Sequence, residues 1–206
     1  MKFSGTISRG VRTPIIKKGD DLASIVVDSV CKCVEEAKIE INDKDVVAIT
    51  EAVVGISQGN YATADQIAKD VKSKFGDDTV GLIFPIMSRN RFSMLLKGIS
   101  RGVKKLIIQL SYPGDEVGNK LISPDLLFDS GVNPYSDVFT AEEFKKIFPN
   151  TVHEFTGVDY IEFYKNACEC ECEIILANDP KAILRYTDNV LIASIHERKR
   201  NKKLLL

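Results

Sequence analysis

The chain has 206 residues, enough for one substantial core or a core with a small appendage. Hydrophobic content of 44% with 28% charged residues excludes intrinsic disorder, and a formal net charge of −1 gives no global attraction for nucleic acid. No apolar run approaches the length of a membrane span and no apolar signal segment opens the chain, so the expected setting is cytoplasmic, with no membrane partner.

In chain order, Lys2 to Ile7 alternates as a first strand, and Arg9 to Lys18, with Gly10 and Pro14, reads as a loop or irregular edge strand. Gly19-Asp20-Asp21 opens a helix whose Leu22, Ile25, Val26 and Val30 share a face, fading near Glu36 to Lys38. The stretch DVVAITEAVVGISQGNY, Asp45 to Tyr61, begins as an apolar run suited to a buried strand, Asp45 to Thr50. It then turns polar at Thr50-Glu51 and passes Gly55 and Gly59. A strand delivering polar groups and flexible backbone to its carboxyl end builds a ligand site in an α/β sheet; an ordinary strand-turn-helix junction has the same local pattern.

Thr63 caps a helix carrying Ile67, Val71 and Phe75 and stopped by Gly76; Val80 to Phe84 is a strand. Ser88 caps a helix with Phe92, Leu95, Leu96 and Ile99 on one stripe, and Lys105 to Leu110 is a further strand. Residues 111–150 form a loop-helix insertion after this third core strand, rich in Pro and Gly, in which Thr140 and Glu143 make a capping box. A helix over Val158 to Ala167, a strand over Glu173 to Ala177, a helix opened by Asp179-Pro180 and a strand over Val190 to Ile195 complete the alternation. The fold class is α/β, a mostly parallel central sheet flanked by helices, with residues 1–206 as one domain. The basic ending HERKRNKKLLL stops on three leucines, as a truncated chain or a tail docked on a second subunit would.

Five cysteines, with no secretion signal, do not form a disulfide framework. The CECEC run puts Cys168, Cys170 and Cys172 on one face of a strand at period two, a spacing that suits reduced, half-buried thiols better than zinc. Polar residues gather at each strand exit, and this asymmetry is the main site signal. Ser88, Arg89, Asn90 and Arg91 combine helix-start N–H groups with two guanidinium groups, suited to phosphate or carboxylate; a capped helix with solvated arginines fits equally. Asp115, Glu116 and Asn119 lie on a turn at a spacing able to hold Mg²⁺, or serve only as polar turn residues. His196, beside Glu197, is a candidate acid or base or a structural histidine. There is no P-loop, no GxGxxG and no GxSxG elbow.

Two stretches together resemble the γ-glutamyl ligases that extend the tail of the deazaflavin coenzyme F420. PIIKKGDDLASIV, Pro14 to Val26, is similar to that family's N-terminal signature, and DVVAITEAVVGISQGN, Asp45 to Asn60, follows at the expected distance. The resemblance implies a guanine-nucleotide site at Arg12, Thr13, Pro14, Ile15, Glu51 and Ala52, to which the residue pattern adds Gly59, Asn60, Ser88 and Asn90. It implies GTP or ATP as co-substrate with Mg²⁺ or Mn²⁺; the residue pattern then offers Asp115, Glu116 and Asn119 for the metal, and Glu51, Arg89 and Arg91 for the catalytic roles. The reaction implied joins an amino acid to a small carboxylate through an acyl phosphate, in a homodimer. The chain departs from the family where a lysine and Glu-Gly-Arg are replaced by Ile56 and Gln58-Gly59-Asn60, and where FPIMSRNR stands without the family's Asp-Thr-x-Gly-Arg type segment. Those losses support a second reading, a non-catalytic ligand-binding or regulatory domain on the same fold.

Overall fold

The computed structural model describes residues 5–206, in two compact units, Met1–Ala62 and Thr63–Leu206. In the first unit Asp21 caps α1, Leu22–Ala37, accepting the Ser24 N–H at 3.2 Å and its hydroxyl at 2.7 Å. These Ser24 hydrogen bonds favour the ionised form and hold the Asp21 carboxyl below its ordinary value. Lys38, in the left-handed region, ends the helix. Of the strand expected over Lys2 to Ile7, residues 2–4 lie outside the described residues, and Gly5–Ile7 are not strand.

The segment Asp45–Thr50 is extended but belongs to no strand, a correction to the sequence reading. Val46 is 88% exposed and Val47 60%. An apolar run becomes a strand only where a neighbour takes up its backbone groups. Here Thr50 instead caps a helix at once, its Oγ1 accepting the Val53 N–H at 3.4 Å, so α2 runs Glu51–Gln58 through what read as a glycine turn. Gly59 closes α2 at φ +68, where a β-carbon would be strained.

The second unit is the sheet domain. It comprises α3 (Ala64–Phe75), β1 (Thr79–Ile83), α4 (Phe92–Arg101), β2 (Lys105–Leu110), α5 (Pro124–Asp129), β3 (Phe139–Thr140), α6 (Ala141–Ile147), α7 (Tyr160–Ala167), β4 (Glu171–Leu176), a 3₁₀ helix (Pro180–Arg185), β5 (Val190–Ile192) and α8 (Arg198–Leu205). Strand order is β3-β4-β2-β1-β5, all pairs parallel except β3 with β4. The α/β, mostly parallel sheet therefore holds, with Lys105–Leu110 as its second strand rather than its third. The anticipated capping box of Thr140 with Glu143 forms, and the Thr63 cap proves to be a second one, with Gln66. The helix anticipated from Ser88 starts at Phe92, and the one opened by Asp179-Pro180 is a 3₁₀ helix.

Side-chain alternation splits the sheet. Val80, Leu82, Leu106, Ile108, Leu110, Ile174 and Leu176 face the main core, which includes Leu96, Phe144 and Tyr164 from the helices. Ile83, Ile107 and Ile175 face a smaller cluster closed by Ile183 and by Leu205 of α8. The basic end of the chain thus lays one leucine on its own sheet domain. The α3–α4 crossing depends on small residues: a β-carbon at Gly102 would stand 2.6 Å from the Ala68 carbonyl oxygen, and one at Gly98 2.9 Å from the Ile67 Cβ. Backbone cannot yield as a flexible side chain can. Gly102→Ala is expected to destabilise the protein by about 1–3 kcal/mol through overpacking, read as a lower urea midpoint at unchanged slope.

Candidate functional site

Because β1, β2, β4 and β5 are mutually parallel, their carboxyl ends lie along one edge of the sheet. Backbone leaving a parallel strand loses its ladder partners and needs others. Side chains supply them here. Asn178, after β4, accepts the Tyr112 N–H at 3.0 Å and donates to the Tyr112 carbonyl at 2.6 Å and the Pro134 carbonyl at 3.1 Å. The Gln109 amide, wholly buried in β2, donates to the carbonyls of Ala177 and Asp179 at 3.1 and 2.8 Å, leaving its Oε1 without a partner. At the exit of β1 the Tyr164 hydroxyl accepts the Ser88 N–H at 2.8 Å and donates to the Ile86 carbonyl at 2.5 Å.

Asp115 and Glu116 belong to this network. Asp115 accepts Met87 N–H at 2.7 Å, Val117 N–H at 3.0 Å, Asn119 N–H at 2.9 Å and the Asn119 amide at 2.8 Å. Glu116 accepts the N–H groups of Ile195, His196 and Glu197, binding the turn that starts α8. A carboxylate offers about four lone-pair directions, so these two hold little in reserve for a cation. Among the described residues, no group of three or more His, Cys, Asp or Glu is placed to hold a metal ion. As folded, Asp115, Glu116 and Asn119 do not fit a divalent cation; they anchor a loop.

Arg89, Asn90 and Arg91 stand exposed on the turn after β1, while Ser88 is half-buried and its Oγ accepts the Arg91 N–H at 3.2 Å. Arg91 occupies the cap position of α4 with no side-chain capping bond. The turn is therefore built on Tyr164 and Ser88, with both guanidinium groups directed by no structural bond of the α4 cap.

The first unit gathers the other candidates. A cavity of about 860 Å³ lies between the segment 7–16, α1 and the segment 39–50, with Arg9, Thr13, Ser29, Asp45 and Thr50 among its polar lining. Its size is that of a site for a ligand the size of a nucleotide. Ile16, Leu22 and Val26 of the first motif stretch and Thr50 of the second share it, with Thr13 just before the first; Arg12, Pro14 and Ile15 lie beside Thr13 in the exposed segment. Glu51, Ala52 and Asn60 instead line a separate open depression of about 640 Å³ along α2. The stretches are joined by the Gly19 N–H, which donates to the Ser57 carbonyl at 2.8 Å, and by Lys18, whose stem lies over Gly59.

Sequence reasoning missed Gln109 and the Tyr164 hydroxyl. An amide inside KLIIQL was a usable signal, whereas Tyr164 looked like any aromatic of a core face. Removing its hydroxyl in Tyr164→Phe strands the half-buried Ser88 N–H and Ile86 C=O, with an expected cost of about 1–3 kcal/mol in urea unfolding. Burial pushes the Tyr112 phenol up to about 12, and raises Tyr164 as well. Both are neutral in either state below about pH 10, the ordinary tyrosine range. Above it the unfolded chain loses protons first, so stability should fall from about pH 10 towards 12, less steeply in Tyr112→Phe.

The family model described as F420-0:Gamma-glutamyl ligase matches residues 10–193. No curated protein and no solved structure gave a match. Running from the loop before α1 to the exit of β5, through both units, that match shows that the chain belongs to the F420-0:gamma-glutamyl ligase family.

Proposed function

We propose that this protein is a nucleoside-triphosphate-dependent acid–amino-acid ligase that forms a γ-glutamyl-type amide on a small carboxylate substrate. The family match over residues 10–193 carries the reading. The cavity of the first unit supports it, since Ile16, Leu22 and Val26 of one motif stretch and Thr50 of the other line it together with Thr13, and Arg9 brings a cation to its wall. In the reaction proposed, a substrate carboxylate takes the terminal phosphoryl group of GTP or ATP. The amine of the incoming amino acid then displaces phosphate from the resulting acyl phosphate.

Arg12, Thr13, Pro14 and Ile15 would frame the nucleotide and Thr50 would meet it across the cavity, with Gly59 and Asn60 at the end of α2. Glu51 and Ala52 would orient substrate along that helix. Ser88, Arg89, Asn90 and Arg91 offer an anion-binding turn in the sheet domain. Mg²⁺ or Mn²⁺ would arrive with the phosphates, which commonly supply most of the ligands of such a cation. Unit one also leaves Ile7, Ile15, Val46 and Val47 exposed, an apolar surface that a second copy of the chain would cover in a homodimer. Among the described residues no helix is long and apolar enough to cross a membrane.

A second reading, a ligand-binding or regulatory domain without catalysis, is favoured by one observation: Asp115 and Glu116 are committed to backbone N–H groups. Thermal-shift measurements with GTP, ATP and UTP, with and without Mg²⁺ or Mn²⁺, separate the two. One nucleotide should stabilise the chain by about 2.7 kcal/mol at roughly a hundredfold excess over Kd, and only with a divalent cation. Arg12→Ala and Thr13→Val should remove the response, and glutamate with an acceptor carboxylate should release phosphate. Stabilisation without turnover would favour the binding domain; no response to any nucleotide would defeat the ligase reading.

A further inference from the structure

The last elements of the sheet domain carry charge that the reading above leaves unused. Between Lys181 and Lys203 stand seven lysines and arginines against two acids, Asp188 and Glu197, on a chain whose net charge is −1. All seven are exposed. They come from two elements packed on one another, the 3₁₀ helix with Lys181 and Arg185, and α8 with the other five. Among the described residues Arg200 pairs with Glu197 at 3.0 Å, and the other six cations have no ion-pair partner.

Helix α8 is docked on the domain and holds its cations in place. Leu205 joins the smaller cluster, and the buried Asn201 amide donates to the buried Ser194 hydroxyl at 3.0 Å. With Asn201 and Leu205 turned inward, a step of about 100° per residue puts Lys199, Arg200 and Lys203 on the outward side. Arg198 and Lys202 flank them on one edge and Leu204 on the other.

Locally this arrangement is unfavourable. Arg198, Lys199 and Arg200 fill the first turn of α8, at the positive end of the helix dipole, and the helix has no side-chain cap of its own. Arg198 with Lys202, and Lys199 with Lys203, are like charges four residues apart, a spacing that destabilises a helix. Glu116, on the N–H groups of Ile195 and His196, and Glu197 offset only part of that charge. Cations set against the dipole and against each other cost folding free energy, which an anionic surface outside the chain returns.

We propose that the face formed by α8 and the 3₁₀ helix is a docking surface for an anionic bilayer. Charge complementarity calls for a polyanion, and the apolar residues among the cations select which one. Leu184, Tyr186, Ile195 and Leu204 are each between 37% and 50% exposed, and each adjoins a basic residue or His196 in sequence. Aliphatic side chains beside lysines and arginines suit the boundary between headgroups and acyl chains, where the cations meet lipid phosphates. A nucleic acid would stack its bases on aromatic rings, and Tyr186 is the one Tyr, Phe or Trp of this face. Asn201, the one amide of α8, is buried and so cannot read base edges. A protein that lies on a bilayer needs no span, so the expectation of no membrane partner, which rests on the lack of one, does not bear on this face.

The test is sedimentation of the full chain with vesicles of phosphatidylcholine alone, and of phosphatidylcholine with an equal amount of phosphatidylglycerol. The chain should pellet with the mixed vesicles at low salt, stay free of the neutral ones, and be released as added salt screens the charges. Each cation removed should weaken binding about fivefold, so Lys199→Gln with Lys203→Gln should weaken it about twenty-fivefold. Lys104→Gln, an exposed lysine just before β2, should leave binding unchanged. Leu204→Ser should weaken binding to the mixed vesicles, and circular dichroism checks that every variant is folded. Equal binding to both kinds of vesicle, no binding to the mixed ones at low salt, or parent-like binding after both lysine substitutions would overturn the proposal. If the mixed vesicles are ignored while a labelled single-stranded RNA binds, the face belongs to nucleic acid and the proposal fails.

Discussion

A parallel sheet must hand its strand exits over to something once the ladder stops, and in this protein side-chain polar groups take them. Asn178 bridges the β2 and β4 exits, Gln109 reaches the carbonyls beyond β4, Tyr164 clamps the β1 exit, and Asp115 and Glu116 gather six backbone N–H groups between them. Each such bond is worth only about 1 kcal/mol net, yet each buried group left unpaired would cost more. The position of the loop after β2 and the start of α8 both follow from that requirement. So does the placement of Arg89 and Arg91, whose turn rests on Ser88 and Tyr164.

The same requirement explains what the sequence could disclose. Strand exits rich in Asp, Glu, Asn and Ser were legible, and their convergence followed from the parallel order of β1, β2, β4 and β5. What was not legible is whether a carboxylate at an exit is free. Asp115 looks the same in sequence whether it faces a cation or four N–H donors, because Met87, one of those donors, lies 28 residues away. Local signals fared well: the Thr63 cap of α3, the capping box of α6, the Asp21 cap and the apolar cores of β1 and β2 depend on neighbours within a few residues. The segment Val46–Ile49 failed for the opposite reason. Apolarity states that a strand is affordable, but a strand exists only if a partner strand lies alongside, and that partner is a non-local fact.

The first unit shows how two separated stretches become one place. Gly19 and Lys18 lie against the end of α2, and Leu22, Val26 and Thr50 open on a common cavity, so the two stretches that resemble the ligase family form a spatial unit rather than two coincidences. The family match over residues 10–193 embraces that unit together with the whole parallel part of the sheet. A signature confined to a first third of a sequence can therefore report on a fold that extends well past it, because the helix caps and glycine turns it encodes are the local half of a non-local arrangement.

The departures from the family pattern bear on chemistry through position rather than through count. Ile56 and Gln58-Gly59-Asn60 remove charge from the end of α2, and read along the chain this looks like the loss of a cation-bearing turn. In space, the stem of Lys18 crosses that same turn and passes within 2.6 Å of where a Gly59 β-carbon would sit. Only glycine, at φ +68, leaves room for the stem to lie so close. A phosphoryl group responds to the field where it sits and not to the residue number from which the charge comes. The loss of charge at 56–60 is thus to be read together with the lysine of the other stretch, whose stem lies on that turn because residue 59 carries no side chain.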